Sequence, residues 1–415
     1  MSYAFLSIAA LIGAILIGIK RKVNIGIVAM FFAFVLSRFV FEGIDVNKLI
    51  LKGWPLKIFF IMMSAMFLFS FATINGATKL LANKLAYICR NYVKLLPWVF
   101  MLATGLLTLC GADPTVIVFM LPIAMLAGQR SRINPIIFCI MLLGAADIGA
   151  GSPFSVIGIV TSGLAETAGV HTYLPIWGAT AVLMFLPGAI AYFVFGGYKA
   201  KAADGELELK KPEPFNKKQK ITLAIIGLVL VLILIFKMPI GAAMFTGVAL
   251  MMLFRVSNDK EAIKSVNWSV LLMVGGTGVL VEAMTQVGGV DMMAGFLSSI
   301  MTPSTAAPIM ALIAGLMSSV SSATGVVMPT LFPTLPAIAG DLNGTVSIVQ
   351  LMQGVQSGAL VVAFSPLSTL GAMAMASLPQ EVDAGKVFTQ MIGAAVCSLA
   401  LAMLLHFTGI FTLLI

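Results

Sequence analysis

Two long apolar stretches of this chain are interrupted by small, polar and helix-breaking residues, and the interruptions resemble each other. The first reads Gly-Ala-Asp-Pro-Thr at 111–115, and the second reads Ser-Ser-Ala-Thr-Gly at 321–325. Backbone groups freed by such breaks find no partners in hydrocarbon, so irregular backbone at membrane depth is tolerated where it lines a cavity. A matched pair of breaks therefore predicts a binding site between two structural repeats.

The composition restricts the fold class further. The chain has 415 residues, of which 60% are hydrophobic and 10% are charged, and its mean hydropathy is +1.07. Soluble domains carry about a quarter charged residues. With repeated apolar runs of about 20 residues, the composition predicts an all-α polytopic membrane protein embedded in a lipid bilayer. The net charge of +9 lies in short loops between these runs, so we expect no nucleic-acid partner.

The apolar runs fall into two halves with the same order of parts. Residues 1–197 form the first predicted repeat, with an interrupted hairpin at about 95–128 and a broken helix at 134–166. Residues 198–219 form a charged linker, and residues 220–415 form the second repeat, with a hairpin at about 306–340 and a broken helix at 346–378. In each half an amphipathic stretch, at 76–92 and 288–301, precedes the hairpin.

Independent landmarks support the repeat. Trp54 matches Trp268, Pro122 matches Pro333, and the Ser-Pro pair at 152–153 matches the pair at 365–366, with offsets of 214, 211 and 213 residues. A constant offset indicates an internal repeat.

The basic residues predict the membrane orientation. If the N-terminus lies outside and both interrupted regions are re-entrant hairpins, 20 of the 25 Lys and Arg residues fall on the cytoplasmic side. The 198–219 linker is then cytoplasmic and the C-terminus is outside. The first hairpin enters from the cytoplasm and the second from outside, so the repeats are inverted. No basic region precedes the first apolar run, which we expect to remain as a span of the inner (cytoplasmic) membrane.

The hairpin tips and the Ser-Pro breaks carry the predicted binding residues. The N-terminus of a half-helix presents free N–H groups that favour an anion, and carbonyls freed at the end of the preceding half-helix favour a cation. The predicted substrate contacts are Pro114, Thr115, Ser155, Ser322, Thr324, Gly325, Ser368 and Thr369. The predicted ion contacts are Gly111, Ala112, Asp113, Asp147, Gly149, Ser152, Ser321 and Ser365.

Three acidic residues have alternative interpretations. Asp113 precedes a proline and is either a helix cap alone or a cap that also coordinates an ion. Asp147 lies just before the first Ser-Pro break and is either a cation ligand or a proton site, because a charge buried in a membrane is expensive. Glu282 is either functional or close to the outer interface. Two histidines and four scattered cysteines predict no metal site, no cofactor and no enzymatic activity.

The tip motifs carry a family resemblance. Ser322-Ala323-Thr324 resembles a Ser-Asn-Thr tip motif with its Asn replaced, the first tip has Ala112 to Thr115 instead, and Met120-Leu121-Pro122 is retained. With the architecture, these residues resemble the ion transporter superfamily, specifically divalent anion/sodium symporters and malonate-carrier-like permeases. The resemblance implies a homodimer in which a transport domain moves as an elevator against a scaffold, linked by the two amphipathic stretches.

From these observations we expect a secondary active transporter for a small anionic substrate, a C3–C4 dicarboxylate such as malonate, succinate or malate, coupled to Na⁺ or H⁺. A cation/proton antiporter that uses Asp113 and Asp147 is the first alternative. The large membrane subunit of a binding-protein-dependent (TRAP-type) carrier is the second.

Overall fold

A computed structural model describes residues 2–88, 93–112, 114–130, 133–200, 211–379 and 381–415. Within these ranges the regular structure is helical, without strands. Seven helical segments are long and apolar enough to cross a membrane, and six apolar helices are shorter. The described structure is therefore that of an all-helical protein with several membrane-spanning segments, as predicted.

The described helices divide between the two predicted halves of the chain. The first half contains α1 (Tyr3–Arg21), α2 (Ile25–Phe39), α3 (Val46–Gly53), α4 (Leu56–Ile74), α5 (Ala77–Ile88), α6 (Leu96–Leu109), α7 (Ile117–Arg130), α8 (Pro135–Ala150), α9 (Val156–Thr167) and α10 (Leu174–Val194). The second half contains α11 (Lys217–Leu234), α12 (Ile240–Leu253), α13 (Asp259–Ser265), α14 (Trp268–Gln286), α15 (Gly289–Ser299), α16 (Ala306–Ser318), α17 (Met328–Leu331), α18 (Leu335–Asp341), α19 (Ile348–Val361), α20 (Thr369–Ala376) and α21 (Ala384–Phe407). The inversion of the halves stays a prediction.

Capping residues set many of the helix starts. Asn24 accepts hydrogen bonds from the first turn of α2, and both α11 and α19 begin with a reciprocal capping box. Two short helices were not expected from the hydropathy pattern, α3 and α13, which Asp45 and Asn258 cap. With eight and seven residues, they are too short for the sequence to show a helical period. The last long helix, α21, ends at Phe407, and Gly409 then takes a left-handed backbone conformation.

The two halves are intertwined. Helix α2 packs on α14, and α4 packs on α12, so each half contributes partners to the other. The buried side chains form two hydrophobic cores. The smaller core is built mainly by α1, α2 and the second half of α14, and the larger one contains most of the remaining helices. We call these the small core and the large core.

Each interrupted region packs on the broken helix of its own half, α6 on α8 and α16 on α19. The second contact is very close, because a Cβ on Gly358 would lie 2.1 Å from the Ala311 carbonyl oxygen and one on Gly354 would lie 2.5 Å from that of Ala307. Small residues at a helix contact let backbones approach in this way. The second interrupted region and its broken helix therefore form one tightly packed unit.

Candidate functional site

A cavity of about 660 Å³ lies where the small core meets the large core. Its wall brings together residues that are far apart in the sequence, from both halves. The sequence-predicted site residues on this wall are Pro114, Asp147, Ser321, Ser322, Thr324, Ser368 and Thr369. The two tips and the region of the two Ser-Pro breaks thus contribute to one cavity.

The second tip presents hydrogen-bond donors to the cavity. After α16 ends at Ser318, the chain forms a wide helical turn over Ala323–Val327, which Ser322 caps by accepting a hydrogen bond from the Gly325 N–H at 3.1 Å. Among the described residues, the N–H groups of Ala323 and Thr324 and the Thr324 hydroxyl have no partner. These unpaired donors at a helix N-terminus favour an anion.

Other residues of the second tip have structural roles. The Ser321 hydroxyl donates to the Met317 carbonyl oxygen at 2.7 Å. Gly325 packs against Met273, and its carbonyl oxygen accepts a hydrogen bond from Thr277 at 2.9 Å. Gly325 is buried and is absent from the cavity wall.

The second Ser-Pro break provides another helix N-terminus. The Ser368 hydroxyl accepts from the Gly371 N–H at 2.9 Å and donates to the Ala363 carbonyl oxygen at 2.9 Å. Ser368 is therefore occupied as the cap of α20. The next residue, Thr369, is exposed on the cavity wall, and its hydroxyl makes no hydrogen bond within the described residues. Ser365 is buried and accepts from the Leu367 N–H at 3.3 Å.

The first Ser-Pro break is closed by donors from neighbouring helices. Trp177 donates from its indole nitrogen to the Ile148 carbonyl oxygen at 2.8 Å, and the Tyr173 hydroxyl donates to the Gly151 carbonyl oxygen. Ser152 donates to the Leu109 carbonyl oxygen at 2.7 Å. These three carbonyl oxygens are therefore hydrogen-bonded by the protein itself.

Several other predicted contacts near this break lie away from the cavity wall. Gly111 has φ of +105°, a left-handed conformation that suits glycine, and a Cβ there would lie 2.2 Å from the Phe69 ring. Ala112, Gly149, Ser152 and Ser155 are buried. The structure thus places this group of residues in packing positions.

Asp147 combines burial with an unpaired oxygen. Its side chain is 2% exposed, it lines the cavity from the end of α8, and its Oδ2 has no hydrogen-bond partner among the described residues. The hydroxyl of Ser155, after the same break, is also buried without a partner. An unpaired carboxylate in this position requires a proton or a cation to offset its desolvation.

Two of the predicted contacts at the first tip fall outside this description. Asp113 lies outside the described residues, as does the Thr115 side chain. Pro114 begins a short 3₁₀ turn over Pro114–Val116 and lies on the cavity wall. Glu282 is half-buried and accepts a hydrogen bond from Gln286 at 2.9 Å, away from the cavity wall.

Sequence reasoning missed Lys22 and Asn267. Both line the cavity, from the turn between α1 and α2 and from the residue that caps α14. Lys22 was considered for membrane orientation alone, as one of three consecutive basic residues. No local pattern connects it with the breaks, and tertiary packing brings them together.

The comparison with protein families is decisive for the class of protein. A model of the CitMHS family, described as citrate transporters, matches residues 8–354, which is most of the chain. This chain belongs to the CitMHS family. Membership supports a non-enzymatic membrane transport protein of the citrate or carboxylate type. No curated protein matches the sequence.

Solved structures agree with the CitMHS assignment at the level of the fold. The YdaH transporter of Alcanivorax borkumensis, described as having an unusual topology, aligns with a TM-score of 0.58 and 14% identity over 93% of this chain and 96% of its own. MtrF of Neisseria gonorrhoeae, from a class of antimetabolite efflux pumps, aligns with a TM-score of 0.55 and 13% identity over 87% and 82%. The predicted ion-transporter-type fold is confirmed, whereas the closer resemblance to divalent anion/sodium symporters and malonate-carrier-like permeases stays a prediction.

Proposed function

We propose that this protein is a secondary transporter that couples the movement of a small multivalent carboxylate to Na⁺ or H⁺. Citrate and the C3–C4 dicarboxylates are the proposed substrates. The observation that supports this proposal is the juxtaposition, on one cavity, of unpaired anion-binding donors and of the buried, unpaired Asp147 carboxylate.

The anion binds at the two helix N-termini. The N–H groups of Ala323 and Thr324 and the hydroxyls of Ser322, Thr324 and Thr369 donate to carboxylate oxygens, and the helix dipoles add to the attraction. A volume of about 660 Å³ lies within the range of about 300–1,000 Å³ for small-molecule sites. It accommodates a six-carbon tricarboxylate as well as the smaller dicarboxylates.

Asp147 provides the coupling. A substrate carboxylate that enters the same cavity is repelled by an ionised Asp147, and the repulsion disappears when Asp147 binds a proton or Na⁺. Each ligand therefore raises the affinity for the other by the same factor. From its position at the first tip, Asp113 remains a second proposed coupling residue, either as a cap alone or as a cap and ligand.

Movement is proposed to occur between two groups of helices. The interrupted regions with their broken helices form the transport domain, and the helices around them form the scaffold, in a homodimer with inverted repeats. The close contact of α16 with α19 supports rigid-body motion of the second unit. The proposed transport requires the coupling ion, Na⁺ or H⁺, and no cofactor.

Uptake into proteoliposomes tests the function. The purified protein is assayed with imposed Na⁺ or H⁺ gradients and with radiolabelled citrate, succinate, malate or malonate, and empty liposomes serve as the control. We expect accumulation of at least one carboxylate that collapses when the gradient is dissipated. Absence of accumulation for every carboxylate and both gradients would sink the proposal.

Asp147 also keeps the antiporter alternative open, because a buried unpaired carboxylate suits cation exchange. A pH-sensitive dye inside the same vesicles distinguishes the two functions. Exchange of Na⁺ for H⁺ without any organic anion would favour antiport. Uptake by the single purified chain would contradict the binding-protein-dependent carrier, which requires its additional subunits.

A further inference from the structure

Lys22 stands out on the cavity wall because it is the one basic side chain among its described lining residues. It lies on the turn between α1 and α2, whereas the second tip, Asp147 and Thr369 belong to the interrupted regions and their broken helices. Lys20 and Arg21 belong to the same basic run and are exposed, but they are absent from the wall. Lys22 therefore differs from Lys20 and Arg21 in its position on the cavity wall, although all three carry the same charge.

The backbone holds Lys22 in a fixed place. It ends α1 in a left-handed conformation, with φ of 55°, and its N–H donates to the Gly18 carbonyl oxygen. Two residues later, Asn24 caps α2 and donates from its side chain to the Ser269 carbonyl oxygen at 2.8 Å and to the Ser269 hydroxyl at 3.0 Å. The short turn is thus fastened to the start of α14, and the Lys22 side chain emerges from a rigid support.

The ammonium group of Lys22 has no protein partner. Across the described ranges it forms no salt bridge and no side-chain hydrogen bond. The second tip and the second Ser-Pro break present neutral donors to the cavity, so an anion with two or three carboxylates would otherwise bind without a positive side chain. A Lys ammonium is a compact charge on a flexible stem that can reach such an anion.

We infer that Lys22 is a specificity-determining residue that pairs with multivalent carboxylates when the cavity is open beside the α1–α2 turn. This inference rests on the proposed transport function. Lys22 lies on the α1–α2 turn, outside the proposed transport domain, whereas the second tip and Thr369 belong to that domain. Movement of the transport domain therefore separates Lys22 from these anion-binding N-termini. The contact between Lys22 and the substrate forms when the cavity opens to one face of the membrane and is lost when it opens to the other. Lys22 therefore makes the substrate affinity differ between the two faces.

Kinetics from each face test the inference. Intact cells expose the outer face and inverted membrane vesicles expose the inner face. For Lys22→Gln we expect the KM for citrate to rise about tenfold at one face, which is the scale of a lost charge-assisted hydrogen bond. The rise for succinate should be smaller, because it carries one carboxylate fewer. The KM at the other face should stay at the wild-type value.

Two further variants sharpen the test. Lys20→Gln removes the same charge from the same run and should leave both KM values unchanged, whereas Lys22→Arg should keep most of the citrate affinity. Raising the ionic strength should raise the wild-type KM more than the Lys22→Gln KM, because salt screens the attraction. Size-exclusion profiles in detergent show whether each variant is folded.

The outcomes separate the two proposals. A wild-type protein that transports carboxylates, with an unchanged KM in Lys22→Gln, overturns the role of Lys22 alone. Equal increases in Lys20→Gln and Lys22→Gln, or an equal increase at both faces, overturn it as well. A wild-type protein that transports no carboxylate overturns the proposed function together with this role.

Discussion

The two Ser-Pro breaks are built from the same local structure. The N–H of Ser155 donates to the Ser152 carbonyl oxygen at 3.0 Å, and the N–H of Ser368 donates to the Ser365 carbonyl oxygen at 3.0 Å. A glycine lies three residues after Ser155 and after Ser368. A Cβ on Gly158 would lie 2.0 Å from the Ser152 carbonyl oxygen, and one on Gly371 would lie 1.9 Å from that of Ser365.

Their surroundings differ. At the first break the side chains of Trp177, Tyr173 and Ser152 each donate a hydrogen bond to a backbone carbonyl oxygen, and Ser152 and Ser155 are buried. At the second break Ser368 itself caps the next helix, and Leu367 and Thr369 are exposed on the cavity wall. One turn is sealed in the large core and the other is open to the cavity.

The comparison shows how one motif supports two tasks. The closed first break lies beside the buried, unpaired carboxylate of Asp147, and such a carboxylate suits the binding of a coupling cation. An open break leaves helix N-terminal donors free, which suits the substrate anion. Three substitutions test whether this division is correct.

The largest effect is expected for Asp147→Asn, which removes the charge and keeps the shape. Moving one cation across 100 mV is worth about 2.3 kcal/mol, or about fiftyfold in substrate accumulation. We expect this accumulation to be lost while exchange of labelled for unlabelled substrate continues. Glu282→Gln, at an acid away from the cavity, is the control. Wild-type accumulation in Asp147→Asn would show that the sealed break plays no part in coupling.

A smaller effect is expected for Thr369→Val, which removes a free hydroxyl at the open break. A hydrogen bond to a charged group contributes about 1.5–3 kcal/mol, so the substrate Kd should rise about tenfold or more. Stability should stay close to that of the wild type. Thr389→Val is the matched control, because its hydroxyl bonds within α21 and faces away from the cavity. Equal affinities in the two variants would contradict the assignment of Thr369.

The smallest effect on transport is expected for Trp177→Phe at the sealed break. The substitution leaves the Ile148 carbonyl oxygen without its donor, which should lower the free energy of unfolding by about 1–3 kcal/mol. Thermal unfolding in detergent measures this loss, and the substrate Kd should remain within about twofold of the wild type. Trp98→Phe is the comparison, since Trp98 has ring contacts but no hydrogen bond among the described residues. A larger loss of affinity than of stability would show that the first break also binds substrate.

The sequence predicted the order of the elements and the location of the breaks because each leaves a local signal. Helix-breaking residues in an apolar run are visible at 111–115 and 321–325, and the repeat offset connects Ser152 with Ser365. The gathering of Ser322, Thr324, Thr369 and Asp147 on one cavity agrees with that expectation.

The remaining features depend on contacts between distant segments. Ser152 and Ser365 were both predicted as ion contacts, because no local pattern shows that Trp177 and Tyr173 reach the first break. In the sequence, Lys22 is one of the basic residues that predict the membrane orientation. Its place on the cavity wall follows from the packing of α1 and α2 beside α14, which the sequence does not show. The distinction between a free hydroxyl such as Thr369 and an occupied one such as Ser368 likewise depends on three-dimensional hydrogen bonds.

The contact of α16 with α19 has a consequence for how this protein can change during evolution. Gly354 and Gly358 touch the backbone of α16, so these positions accept no larger side chain without separating the helices. The cavity wall at 318–324 and 367–370 lies at and beyond the ends of α16 and α19 and contains no glycine packed in this way. Substrate preference can therefore diversify through exchanges in those two short segments, while the two glycines stay constant.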